Sequence, residues 1–131
     1  MQARREMDVL TPLAYGLAVV LNLMIIFVGL RFFFQPQAAA NGYGVPAKEN
    51  GDSAYLTIKG LRDLVSGLIG LALLAFSDAD AAAWFMVVVA LTPLGDTVIV
   101  LRNGGTKAVA FGIHAATAAV VLISAALLFA A

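Results

Sequence analysis

The sequence predicts an all-α integral membrane protein: an antiparallel four-helix bundle forming a single domain over residues 1–131. Three observations carry that prediction. Hydrophobic residues make up 62% of the chain and charged residues 12%, with a mean hydropathy of +0.95, where a soluble domain is about half apolar and a quarter charged. The apolar residues gather into four stretches, at 11–34, 55–76, 81–101 and 106–128, each close to the roughly 20 residues that a helical crossing needs. The second and third connections between them are too short for anything but antiparallel neighbours. A barrel would need at least about eight short alternating strands, and no such pattern is present.

Residues Met1 to Val9, with Arg4, Arg5, Glu6 and Asp8, read as a polar lead-in. Thr11-Pro12 then reads as an N-cap followed by Pro at the first helical position. The first span is uncharged until Arg31. A cleaved signal peptide ending near Ala38-Ala39-Ala40 is the rival reading, and the apolar core is longer than the roughly 7–15 residues of a signal core. Gln35 to Ser53 reads as the one long loop, broken by Pro36, Gly42, Gly44, Pro46 and Gly51 and wetted by Lys48, Glu49 and Asp52. It is a plain solvated loop or a lid over the bundle. Ser77-Asp78-Ala79-Asp80 is a polar turn with a helix cap in it. Pro93 and Gly95 interrupt the third span and predict a kink before Asp96. Arg102-Asn103-Gly104-Gly105 is a turn, and the fourth span is rich in Ala. Trp84 and Tyr55 stand near span ends, where aromatic belts form.

Antiparallel topology turns these positions into depths. Arg31 ends the first helix at the long-loop face. Lys59, Arg62 and Asp63 begin the second there, and Asp96 and Arg102 end the third there. His114 lies about 12 Å along the fourth helix from that face, at a rise of about 1.5 Å per residue. The titratable groups thus meet in one half of the bundle, while the other half has only Asn22 near mid-depth. Lys59, Asp63, Ser66 and Gly70 share a helical stripe with Arg62 at its edge. Charges inside spanning helices are costly and usually line a cavity or polar path. Asp63, Asp96, Arg62 and His114 are the candidate catalytic residues. Arg31, Arg102, Asn22, Lys59 and Ser66 are the candidate substrate-binding residues. Each also has a bland reading: Arg62–Asp63 as an interfacial pair with Lys59 snorkelling outward, Asp96 in a salt bridge to Arg62 or Arg102, His114 donating to a carbonyl, and Arg102 complementing a helix dipole.

Arg31 followed by Pro36, then Gly60-Leu61-Arg62-Asp63-Leu64 with Gly67, then Asp96 and Gly112-x-His114 resemble small four-helix membrane proteins of the DoxX-like kind. They are similar in particular to an uncharacterised bacterial and fungal family with a GLRDL element. The resemblance implies a four-helix bundle in a membrane, with a bacterial inner membrane as the expected location, and it brings no established activity or catalytic residues.

Composition narrows the function. With no Cys, thiol catalysis, iron–sulfur ligation and thiolate zinc sites are excluded, and a DoxX-type redox role finds no thiol to use. One His makes a dedicated transition-metal site an unlikely use of this chain, so neither metal nor cofactor is expected. Zero net charge gives no support for nucleic-acid binding. The first hypothesis is a cofactor-independent acid–base enzyme, of isomerase, cyclase or hydrolase type, acting on a small lipophilic molecule from the bilayer. The second is a non-catalytic binding or accessory protein whose charges hold a ligand or the helices. A channel is a weaker third, and it would call for a homo-oligomer. The basic residues of the long-loop face place that face in the cytoplasm by the positive-inside rule.

Overall fold

In hydrocarbon the backbone has no water to bond, so an apolar chain satisfies its amides within helices. The computed structural model describes residues 2–48 and 52–131, with side chains from Val9 onward, and no strand occurs among them. Glu49 and Gly51 of the predicted loop lie outside the described residues, as do Met1 and the side chains of Arg4, Arg5, Glu6 and Asp8. Five helices follow one another: α1 (Gln2–Phe34), α2 (Pro36–Tyr43), α3 (Ser53–Phe76), α4 (Ala79–Arg102) and α5 (Lys107–Ala130). Three of these are long and apolar enough to cross a membrane: Val9–Phe34 of α1, α4 and α5. The chain therefore has the helices of a membrane protein. α3 has 24 residues, but every 18-residue stretch of it carries Lys59, Arg62 and Asp63.

Two expectations need correction. α1 does not start at a Thr11 cap, because Pro12 lies inside it. Proline already has a helical φ and forfeits one backbone bond, so a helix that is otherwise well supported passes through it. Gln35–Ser53 is not all loop, since it contains α2. Pro36 opens that helix and Gly44, at φ 102°, closes it in the left-handed conformation. That pairing of Pro at the start with Gly just past the end is a helix signature in its own right.

The other punctuation falls where the residues place it. Asp78 caps α4 by accepting from the Ala81 amide at 2.7 Å, and Thr106 caps α5 by accepting from the Val109 amide at 3.1 Å. α4 breaks at Ala90, between Val89 and Leu91, because Pro93 has no amide for the Val89 carbonyl. α5 carries a π turn over Ala110–Ala115, a device frequent at functional sites.

α1 and α3 pack over the most extensive contact in the molecule. Gly29 lies against the Gly60 carbonyl and Leu64 amide, while Gly67 and Gly70 lie against Asn22, so the two helices run antiparallel. Small residues let helix backbones approach in a membrane, where apolar burial itself gives little drive. The half of the molecule away from the charges is filled by Ala14, Ala18 and Leu21 of α1, Ala83 and Met86 of α4, and Val121, Ala125 and Leu128 of α5. Ser124 is also buried there, with its hydroxyl unpartnered. At the charged end a second cluster forms where Ala39 and Ala40 of α2 cover Phe32 of α1. α2 thus folds back as a cover, and its Gly44 rests on Val100 of α4 and Val109 of α5.

Candidate functional site

Between the packed half and the cover the helices part. α3 meets α4 near the Ser77 turn, but the second half of α4 (Leu91–Arg102) leans onto α5 and has no comparable packing with α3. The gap holds a cavity of about 490 Å³, whose walls come from all four long helices. Leu21, Ile25, Met86 and Val121 make its apolar floor and sides, and Lys59, Arg62, Asp63, Ser66 and Asp96 make its polar end. Tyr55, Ile58 and Arg62 of α3 and Thr92 of α4 stand exposed along its rim, so it opens between α3 and α4. A second cavity of about 250 Å³ adjoins it and shares the Asp96, Thr92 and Thr117 wall. That one is lined further by Arg31, Phe32, Tyr43 and His114.

Asp63 and Asp96 reach the larger cavity from different helices, and each is anchored through one oxygen. Lys59 Nζ lies 2.6 Å from Asp63 Oδ2, one turn away on α3. Asp96 Oδ2 accepts a short hydrogen bond from the Tyr43 hydroxyl. Burial, with Asp96 beside it, pushes the Tyr43 phenol up from its ordinary value, so the hydroxyl stays protonated and donates. Lys59 does not snorkel outward as the sequence allowed. Its ammonium lies 4.2 Å from the Phe32 ring centre and 4.3 Å from that of Tyr43, where two ring faces and a carboxylate all favour the cation.

Asp96 has no salt bridge to Arg62 or Arg102; among the described residues the ion pair is Lys59–Asp63. The aromatic hydroxyl brought in by α2 takes the place of the expected cation. Arg62 lines the larger cavity unpaired, with its side chain exposed. Asn22, 4% exposed, sits at the cavity floor and donates to the Ala18 carbonyl at 2.8 Å.

The structure splits one expected grouping. Asp63, Asp96 and Arg62 share the larger cavity, but His114 lies in the smaller one with Arg31. Asp96 lines both cavities, so His114 shares a chamber with Asp96 but not with Asp63 or Arg62, and beside it lies Tyr43. Its carbonyl holds His114 Nε2 at 2.7 Å, and its ring lies against the imidazole, tilted by 54° with centres 4.3 Å apart. The bland reading of His114 as a donor to a carbonyl is thus part of its geometry. Arg102 lines neither cavity and is exposed at the end of α4.

Tyr43 is the site residue that sequence reasoning missed. It touches Asp96, His114, Lys59 and Phe32. The Pro36–Gly44 punctuation was the signal that its segment is a helix.

A family model described as a domain of unknown function, DUF4267, matches residues 22–128. The chain belongs to this family. The match covers every lining residue of both cavities except Leu21. It agrees with the uncharacterised-family part of the resemblance and does not extend to DoxX-like proteins. No curated protein and no solved structure matches the chain.

Proposed function

We propose that α1, α3, α4 and α5 cross the membrane as an antiparallel four-helix bundle, and that its central cavity performs cofactor-independent acid–base chemistry on a small lipophilic molecule. One observation carries the reading: two carboxylates from different helices line the polar end of one open cavity that is apolar along Leu21, Ile25, Met86 and Val121. A purely structural network would close that space and tie helices together. The Lys59–Asp63 ion pair lies within α3, and the links that the charges make to other helices, Lys59 to the Phe32 and Tyr43 rings and Asp96 to Tyr43, leave the cavity open. A volume of about 490 Å³ falls in the usual range of small-molecule sites, about 300–1,000 Å³.

In this reading a substrate enters from the bilayer between α3 and α4. One carboxylate takes a proton from it through the oxygen that its anchor leaves free. Arg62, unpaired on the same wall, stabilises negative charge developing on a substrate oxygen. The carboxyl so formed returns that proton elsewhere on the molecule, which is the pattern of isomerisation or cyclisation.

Asp63→Asn and Asp96→Asn test this. The proposal expects both variants to remain folded in detergent and to lose turnover of lipophilic candidates that stabilise the wild type. A ligand at 100 times its Kd adds about 2.7 kcal/mol to stability, enough to find candidates by melting. Variants that unfold with no separable functional defect would sink the catalytic reading. A non-catalytic holder is the second reading. It is favoured by the fact that both carboxylates already have protein donors, and it expects the Asn variants to keep binding with no turnover in any form.

A further inference from the structure

His114 is the only histidine in the chain, and the fold uses one of its two ring nitrogens. Nε2 stands 2.7 Å from the Tyr43 carbonyl oxygen. A carbonyl only accepts, so Nε2 carries a proton, and in the neutral form of the ring Nδ1 is then an acceptor. Nδ1 has no partner among the described residues, although the residue is 3% exposed. Among the described residues Ser124 Oγ is the buried side-chain polar atom with no partner, so Nδ1 is not sealed in the core, and its ring lines the smaller cavity. Asp96 lines the same cavity, with Oδ2 taken by Tyr43 and Oδ1 without a protein donor. The chamber therefore offers two acceptors; Arg31, Thr92 and Thr117 are its other polar lining side chains beside Tyr43, and Phe27, Val28 and Ile113 are among its apolar walls.

We propose that the smaller cavity is a subsite for the hydroxyl group of a lipophilic alcohol or phenol, which donates to His114 Nδ1 while the apolar body of the same molecule lies in the larger cavity. The proposal rests on the pocket reading above and adds the class of substrate. Adjacency of the chambers supports it, because Met24, Ile25, Thr92, Pro93, Asp96 and Thr117 line both. Charge selects the class. A carboxylate or phosphate head is attracted by Arg31 but opposed by Asp96 on the same wall. An ammonium is opposed by Arg31 on the same wall and by Lys59 on the Tyr43 ring. A neutral donor meets the two acceptors and neither objection.

Because the chain has one histidine, the full protein labelled with ¹⁵N-histidine gives ring signals from this residue alone. In detergent micelles at neutral pH, long-range proton–nitrogen spectra should show Nε2 protonated and Nδ1 bare. Decanol should move the Nδ1 signal saturably in the direction of an accepted hydrogen bond, leave Nε2 in place and raise the melting temperature. Protonated Nδ1 in the free protein overturns the proposal. Decanol that stabilises the protein without moving Nδ1 overturns the subsite and leaves the larger pocket standing. Decanoate or decylamine that moves Nδ1 as decanol does overturns the choice of a neutral donor. Decanol that neither stabilises the protein nor moves Nδ1 overturns the subsite and also counts against the pocket.

Discussion

Gly29→Ala tests the seam that sets the spacing of the bundle. A Cβ built at Gly29 would lie 2.6 Å from the Gly60 carbonyl oxygen and 2.7 Å from the Leu64 amide nitrogen. A close C···O approach is normally about 3.3–3.6 Å, so α1 and α3 must separate by about 0.7–1.0 Å. Both obstructing atoms belong to backbone, and no side-chain rotation relieves them. A gap of about 0.5–1 Å forfeits a quarter to a half of each dispersion contact along the seam, and overpacking of this kind costs about 1–3 kcal/mol. Ala gains about 0.8–1.0 kcal/mol over Gly in a helix interior, which leaves a net loss of about 2 kcal/mol if the upper end applies. Gly16, on the same helix, has nothing within 4 Å of its virtual Cβ. Gly16→Ala should therefore gain up to about 1 kcal/mol from propensity alone. The two variants should differ by about 3 kcal/mol in reversible unfolding in mixed micelles. Equal stabilities would refute the claim that backbone contact at Gly29 and Gly60 fixes the helix spacing.

Gly67→Leu and Gly70→Leu should each lower the thermal unfolding temperature more than Leu71→Ala, because the added atoms at 67 and 70 fall on Ile26 and Asn22; the reverse order would misplace the packing face of α3. Tyr43 is held protonated in the fold. Its contribution is therefore whole below the unfolded tyrosine value near 10 and is lost as pH rises above it, at up to about 1.4 kcal/mol per pH unit. Tyr43→Phe should flatten that alkaline decline in a pH series of unfolding measurements, and an unchanged slope would remove Tyr43 as its source. Single cysteines at Lys48 and Ala131 should show opposite accessibility to a membrane-impermeant reagent in sealed vesicles of one orientation; equal protection would contradict four crossings.

Much of this architecture is legible in the chain because hydrocarbon imposes simple rules. Length and hydropathy mark α1, α4 and α5, and Pro93 marks the break in α4. Asp78 and Thr106 mark their own helix starts. α3 is harder, since Lys59, Arg62 and Asp63 dilute its apolar character in proportion to their use at the cavity. Depth bookkeeping brings Asp63, Asp96 and Arg62 to one cavity, as the structure does. It gives no direction around the helix axis once a π turn intervenes, which is where His114 departs from the grouping. Tyr43 escaped for a different reason: its segment is polar and punctuated, and its contacts come from a fold-back over the bundle that no local periodicity encodes. Lys59 escaped too, because the choice between snorkelling and capture depends on two rings contributed by other helices.

In the proposed four-helix crossing, the alanine-filled half of the bundle and the parted half would make the protein unlike itself from one monolayer to the other. The gap between α3 and α4 would then face the monolayer on the α2 side. A molecule dissolved in the far monolayer meets closed helix faces and must cross the bilayer mid-plane before it is captured. For a small neutral solute that crossing is quick, and the side from which it is supplied is immaterial. For an amphiphile with a permanently charged end the crossing is slow, and half of a symmetrically loaded pool would be out of reach. Under the proposed function, sidedness of supply rather than affinity would then decide which lipophilic molecules reach the cavity.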